Sequence, residues 1–430
     1  MIPEFVKMIL DRLKGAGYEA YIVGGAVRDM VKRRPVSDWD IATSAKAEGI
    51  KRIFQDKSFF SLKHETVTLV DNGRHYEVTP FKSRQGNGTL EEDLGYRDFT
   101  VNAMAYDPAE DRTIDPYGGR EDITGKLVRA VGNPRDRFVE DPIRLLRAVR
   151  VATELGFKVE AETLSVMTML ADQIAAAAKE RIRDEMMRIL LCPKPSTGFN
   201  LMKRTALLDV FLPELLEGYG KRQNPRYHRY TVYKHIMATV DQVEAEPVLR
   251  LTALLHDIAK PRVREKIAGT FRFYGHEEAS AALAGEIMTR FRFSKEMTGL
   301  VTHLVRHHEI MYESKWGDSA IRRLIRRVGR ENMDRLLAFR KADLLAHGID
   351  GVHLNLISEL EERVEKIIRG PLALKARDLE VDGNTVMEIM KLSPGREVGK
   401  ALDHLMEQVM DHPDWNTRER LVALLKAMRN

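Results

Sequence analysis

The chain holds one cysteine, Cys192, among 430 residues. That scarcity excludes internal disulfides and cysteine-rich zinc sites, and it fits a reducing, cytoplasmic setting. Long apolar runs are missing as well: no stretch approaches the roughly 18 uninterrupted apolar residues of a membrane-spanning helix, so no membrane partner is expected. Met1-Ile2-Pro3-Glu4-Phe5-Val6-Lys7 alternates charge with apolar groups at helical spacing, which predicts an amphipathic helix and not a signal peptide. Repeats, low-complexity tracts and long Pro/Gly/Ser linkers are lacking too, so the domains are expected to pack closely. What is present is 43% hydrophobic and 31% charged, with a net charge of +5. The length suffices for roughly two to four domains with real cores. The small positive excess agrees with a polyphosphate or RNA partner but does not identify one.

Two aspartates, Asp38 and Asp40, carry the most information. They follow Gly24-Gly25-Ala26-Val27-Arg28-Asp29, which itself follows the apolar Tyr21-Ile22-Val23. Asp38-Trp39-Asp40-Ile41-Ala42-Thr43 reads as the start of a strand, where side chains at i and i+2 share a face and both carboxylates converge. Converged carboxylates suit Mg²⁺, which takes hard oxygen ligands and completes its shell with water and substrate phosphate. Two such ions roughly 4 Å apart activate an attacking hydroxyl and neutralise a departing pyrophosphate. Lacking Cβ atoms, Gly24 and Gly25 let backbone N–H groups approach a triphosphate, to which Arg28 adds charge-assisted hydrogen bonds. Each piece alone has a plainer reading, since Gly-Gly is a common turn and Asp-x-Asp a common solvated loop. A third carboxylate, Glu77, lies in His75-Tyr76-Glu77-Val78-Thr79, which follows Thr66-Val67-Thr68-Leu69-Val70 across Asp71-Asn72-Gly73. Asn-Gly between alternating runs predicts a hairpin, and Glu77 faces either the metals or solvent.

Taken in order, these blocks resemble the opening of class II tRNA nucleotidyltransferases and bacterial poly(A) polymerases. Arg97-Asp98-Phe99-Thr100-Val101-Asn102 is similar to that family's second motif, and the resemblance places Arg97, Asp98 and Asn102 around triphosphate and ribose. Asp115-Pro116-Tyr117-Gly118-Gly119, Glu140-Asp141-Pro142-Ile143-Arg144 and Glu180-Arg181-Ile182-Arg183 are similar to the hinge, base-selecting and last blocks, which adds Arg181 to the nucleotide site. Asp141 and Arg144 are three apart on a segment of helical periodicity and are expected to share a face. A carboxylate accepts from an exocyclic amine and a guanidinium donates to a ring nitrogen or carbonyl, so the pair would accept C and A and reject U and G. Asp141 before Pro142 also fits a helix N-cap.

Downstream, His235, His256-Asp257 and Asp343 occur in an order that resembles the HD superfamily of metal-dependent phosphohydrolases, with His276 and His307, of the pair His307-His308, as further ligands. Imidazole and carboxylate together suit Mn²⁺, Ni²⁺ or Mg²⁺. The resemblances imply an α+β fold: a polymerase-beta-like nucleotidyltransferase head with a mixed sheet over residues 1–130, an all-α neck over 131–195, an HD-type helical body over 196–369 and a helical, tRNA-facing tail over 370–430. Strand patterns stop near Val131. The implied activity is untemplated addition of C, and of A in the full CCA-adding members, to the tRNA 3′ end from CTP and ATP, with Mg²⁺ on Asp38 and Asp40. Ten residues, Lys82 to Glu91, separate Phe81 from Glu92, where full CCA-adding members carry a longer segment, and Tyr96 stands where many have arginine. Both departures favour CC addition, with the final A left to a separate A-adding enzyme. A poly(A) polymerase, an HD phosphohydrolase with a degenerate head and a non-catalytic RNA-binding protein remain open alternatives.

Overall fold

Val6, Ile9, Leu10 and Leu13 recur at i, i+3, i+4 and i+7 along the helix Glu4–Gly15 and are all buried. In this computed structural model, which describes residues 2–61, 66–83, 88–348, 354–370 and 375–429, that apolar stripe covers one face of a mixed sheet. The strands are β1 (Ala20–Val23), β2 (Trp39–Thr43), β3 (Ser58–Ser61), β4 (Val67–Asp71), β5 (Arg74–Pro80), β6 (Ala105–Asp107) and β7 (Arg112–Ile114), in the order β3-β4-β5-β2-β1-β6-β7. Only β2 and β5 run parallel; the other neighbours are antiparallel. The expected hairpin joins β4 to β5, and its turn places Asn72 and Gly73 at φ 47° and 74°, the pair of positive values that a tight two-residue turn requires.

Period-two alternation then sorts chemistry from core. Ile22, Ile41, Val67 and Val78 face the first helix. Val23, Ala42, Phe81, Leu94 and Ala105 form a second cluster, and Asp40, two residues before Ala42, shares that second face. The parallel register sets Asp40 beside Glu77.

The molecule divides into two compact units, Met1–Pro213 and Glu214–Asn430. In the first, the sheet is followed by the helices Pro134–Glu140, Arg144–Leu155 and Lys179–Leu190, and Arg150 Nε donates to Glu185 Oε2 at 2.7 Å to tie the last two together. The second is mainly helical, with a C-terminal core of Val386, Leu405, Val409, Leu421 and Leu425. Strand structure does not end at Val131: Lys158–Val159 pairs with Leu127–Val128, and Glu265–Ile267 pairs with Thr270–Arg272. Two- and three-residue strands are too short to leave an alternating pattern in a sequence. Among the described residues, no helix is long and apolar enough to cross a membrane.

Candidate active site and metal centre

The first constellation grows from the carboxyl end of β1. Gly24 sits at φ 72°, and a Cβ there would lie 2.8 Å from Arg97 NH1 and 3.4 Å from Asp40 Oδ2. Only glycine fits between that guanidinium and that carboxylate. Asp38, Asp40 and Glu77 all line a cleft of about 1080 Å³, Asp40 and Glu77 side by side by strand register. Burial raises the Asp40 carboxyl above its ordinary value; Arg97 opposes this and Asp38 adds to it. Glu77 is raised by burial, then by Asp40 and Asp38. Burial and neighbouring carboxylate charge raise both Asp40 and Glu77, a cost that a divalent cation in the cleft would relieve.

In the same cleft, Arg28 donates to both oxygens of Asp29, at 3.0 and 3.1 Å, and through NH1 to Asn102 Oδ1 at 2.8 Å. Asn102 donates in turn to Asp98 Oδ1 at 3.1 Å, while Arg147 pairs with Asp98 Oδ2 at 2.8 Å. Burial pushes the Asp98 carboxyl up, but Arg147 and Asn102 outweigh it and hold it below the usual range. The residues from Gly24 to Asn102 that the sequence singles out are therefore gathered in one cleft.

Asp141 and Arg144 are placed differently from the expectation. Asp141 lies outside any helix, at φ −148° between Pro134–Glu140 and Arg144–Leu155, so the two do not share a helix face. Pro142 is the cause, since a residue before proline is driven out of the α region. Asp141 accepts from Arg181 through both oxygens, at 3.0 and 2.7 Å, and its Oδ1 also accepts from Ile143 N at 3.3 Å. Arg144 lines the cleft and donates to Glu140 Oε2 at 2.6 Å, Tyr96 O at 2.9 Å and Arg137 O at 3.2 Å. Sequence reasoning missed Asp93 and Arg147, which also line the cleft; the i, i+4 spacing of Asp93 and Arg97 was the available signal.

The second constellation lies wholly within the second unit. The helix Pro247–Leu255 ends just before His256, so His256 and Asp257 occupy the turn after a buried helix and not its interior. His235 Nε2 lies 3.0 Å from Asp343 Oδ1 and 3.2 Å from His256 Nε2, which is 3.3 Å from Asp257 Oδ2. His276 Nε2 and His308 Nε2 lie 3.5 and 3.7 Å from the other oxygen, Asp257 Oδ1. That oxygen is buried without a hydrogen-bond partner. His307, named from the sequence, points away and packs edge-on against His303 at 4.7 Å. The helix Lys295–Arg306 ends before it, and beyond that end helical spacing no longer says which histidine turns inward. His228 and His347, not singled out from the sequence, join His235 in a further group of imidazoles.

The anchoring of the ring nitrogens bears on what this centre suits. Nδ1 of His256, His276 and His308 lies 2.9, 2.9 and 2.7 Å from the carbonyls of Ala253, Phe273 and Val305. A carbonyl only accepts, so each Nδ1 carries a proton and each Nε2 is the atom left facing the carboxylates, which favour a cation there, a metal ion or a second proton. Anchoring of Nδ1 on a backbone carbonyl, which leaves Nε2 for a cation, is the arrangement that metal-binding histidines use. Burial pushes the Asp257 carboxyl up, yet His256 and Lys260 hold it well below its ordinary value. Lys260 Nζ reaches Asp257 Oδ2 at 2.6 Å.

Three family models match segments of this chain. Residues 20–129 match the family model of the poly A polymerase head domain, residues 156–218 that of a probable RNA- and SrmB-binding site of polymerase A, and residues 226–348 that of the HD domain. The chain is 42% identical over 219 residues to the CCA-adding enzyme of Geobacillus stearothermophilus, a match of 48% of this chain and 54% of that relative, so the chain spans about half the length of the first curated relatives it matches. It is 34% identical over 298 residues to the CCA-adding enzyme of Lactobacillus gasseri, covering 66% of this chain and 70% of that one. Its fold is similar to the crystal structure of the Bacillus stearothermophilus CCA-adding enzyme in complex with CTP, with a TM-score of 0.76 and 28% identity over 100% of this chain and 98% of the other.

Proposed function

This chain belongs to the family of CCA-adding enzymes, and from that premise we propose that it adds nucleotides to the 3′ end of tRNA without a template. The presence of Asp38, Asp40 and Glu77 in one cleft with the close approach at Gly24 carries this reading. Asp38 and Asp40 would hold Mg²⁺, with Glu77 beside them, and the bound ions supply charge neutralisation for phosphoryl transfer. The tRNA 3′-oxygen forms a bond to the α-phosphorus of CTP as the bond to the departing pyrophosphate breaks, and the hydroxyl proton passes to solvent. The chain's share is positioning. Gly24 and Gly25 leave room for the triphosphate; Arg28 and Arg97 offer it donors; the Arg28–Asn102–Asp98 chain orders the wall where the ribose would lie. Asp141, Arg144 and Arg181 would meet the base.

The preferred product ends at CC, with a separate A-adding enzyme completing the tRNA. Two features support this. The Lys82 N–H donates to Asp93 Oδ1 at 3.1 Å, and a Cβ on Gly88 would lie 2.9 Å from the Lys82 carbonyl oxygen, so the segment after Phe81 is pinched at its base. Arg84 to Asn87, the centre of that short segment, lie outside the described residues. A lever this short has little reach for reshaping the base pocket. On this reading residues 1–130 are the head, 131–195 the neck, 196–369 the HD-type domain and 370–430 a tRNA-facing tail, in a cytoplasmic protein. The HD-type centre would hold one divalent cation (Mn²⁺, Ni²⁺ or Mg²⁺) on His235, His256, Asp257 and Asp343 and a second on Asp257, His276 and His308, and would hydrolyse phosphoesters.

A product ladder on tRNA lacking its 3′ end decides among the readings. With CTP and ATP together the expected product stops at CC. Completion to CCA returns the chain to ordinary CCA addition, a run of A from ATP alone makes it a poly(A) polymerase, and full activity in Asp40→Ala removes the site assignment.

A further inference from the structure

Asp93 is 3% exposed, and a carboxylate so buried needs partners for both oxygens. It lies on the helix Leu90–Gly95, whose start is fixed by reciprocal bonds between Thr89 and Glu92. Its oxygens are divided between two duties. Oδ1 accepts from the Lys82 N–H at 3.1 Å, at the base of the segment that follows β5. Oδ2 accepts from Arg97 NH2 at 3.2 Å and Nε at 3.4 Å. One edge of the Arg97 guanidinium is thereby committed, and the remaining nitrogen, NH1, stands 2.8 Å from where a Cβ on Gly24 would sit, beside Asp40 Oδ2.

A guanidinium has donors on more than one edge and is drawn to any carboxylate within reach. Asp40 is the competitor here. If Arg97 closed on Asp40, it would neutralise a carboxylate proposed to hold Mg²⁺ and withdraw a donor from the triphosphate. We propose that Asp93 is a positioning residue that holds Arg97 off Asp40, presents NH1 to the nucleotide triphosphate, and couples that placement to the base of the Lys82–Gly88 segment. The proposal rests on the reading of the first cleft as a nucleotide site.

Asp93→Asn separates the two duties, since an amide oxygen can still accept from Lys82 while its NH2 repels Arg97. Loss of one charge-assisted contact predicts CTP affinity weaker by about tenfold, measured by equilibrium binding on the full chain, with KM for CTP raised alongside and kcat less affected. Arg97→Gln should weaken binding by the same factor, and the double variant should be no weaker than Arg97→Gln alone. CTP binding within about twofold of wild type in Asp93→Asn, or losses that multiply in the double variant, overturns the proposal; a lowered melting temperature with unchanged CTP affinity makes Asp93 merely structural. A wild type that binds CTP but transfers none sinks the proposed activity, and the binding comparison still decides the role of Asp93.

Discussion

At the scale of single residues, Asp141 is the side chain whose partners most constrain function. Burial raises its carboxyl, but the hydrogen bonds and charge of Arg181 hold it below the ordinary range. Both oxygens are taken, so accepting from a base's exocyclic amine means exchanging Arg181 for the nucleotide. Arg144 is similarly engaged by Glu140 and the Tyr96 carbonyl. If the two read the base as proposed, the nucleotide must displace these partners first. Asp141→Asn tests this against capping, because an amide oxygen still serves the Ile143 N–H but supplies no anion. A lost charged contact of about 1–3 kcal/mol should lower kcat/KM for C addition by about ten- to a hundredfold. The melting temperature of Asp141→Asn should stay near that of wild type. If Asp141→Asn keeps its rate and nucleotide choice while Asp141→Ala unfolds, Asp141 is a cap and nothing more.

At the scale of elements, what was legible in the sequence was local. The β4–β5 hairpin was readable because Asn72-Gly73 fixes its own turn. The convergence of Asp40 with Glu77 was only half readable, since strand alternation gives the face but not the parallel pairing of β2 with β5 that puts them side by side. Asp141 was misplaced because helical periodicity was carried through Pro142, although the residue before proline is the one the ring excludes from the helix. His308 was passed over for His307 for a related reason: both lie past the end of the helix Lys295–Arg306, where periodicity carries no information. In the proposed CC-adding reading, the length of the segment after β5 acts on the chemistry. Lys82 and Gly88 are held by close contacts at its two ends. Inserting about ten residues at Gly86-Asn87-Gly88 should cost little stability, since each doubling of a loop costs only about 0.6 kcal/mol. The lengthened variant should add A after CC on the same tRNA. Termination at CC despite normal C addition would mean that the limit lies in the pocket, with Tyr96 the first residue to change.

At the scale of the whole molecule, two metal-suited centres lie in two compact units, each built from residues of its own unit. Their ligand sets differ in hardness. The first is all carboxylate and suits Mg²⁺; the second mixes imidazole with carboxylate and suits a transition metal. The chemistries should therefore separate under metal exchange as well as mutation. His256→Ala removes a proposed ligand whose ring is buried and whose Nδ1 is anchored on Ala253 O, so no water restores the same geometry. Hydrolysis of p-nitrophenyl phosphate should vanish in this variant while C addition to tRNA continues. Asp40→Ala should do the reverse. Removing metal from the wild type with a chelator leaves Nε2 of His256, His276 and His308 facing the carboxylate of Asp257 without that cation, and should lower the melting temperature. The stabilisation lost is about 2.7 kcal/mol if the ion had been present at a hundred times its dissociation constant. Adding back Mn²⁺ or Ni²⁺ should restore both stability and hydrolysis in wild type but neither in His256→Ala. A wild type that retains no metal after purification, keeps its melting temperature in chelator and hydrolyses no phosphoester would make the second centre a buried histidine cluster that serves only the fold.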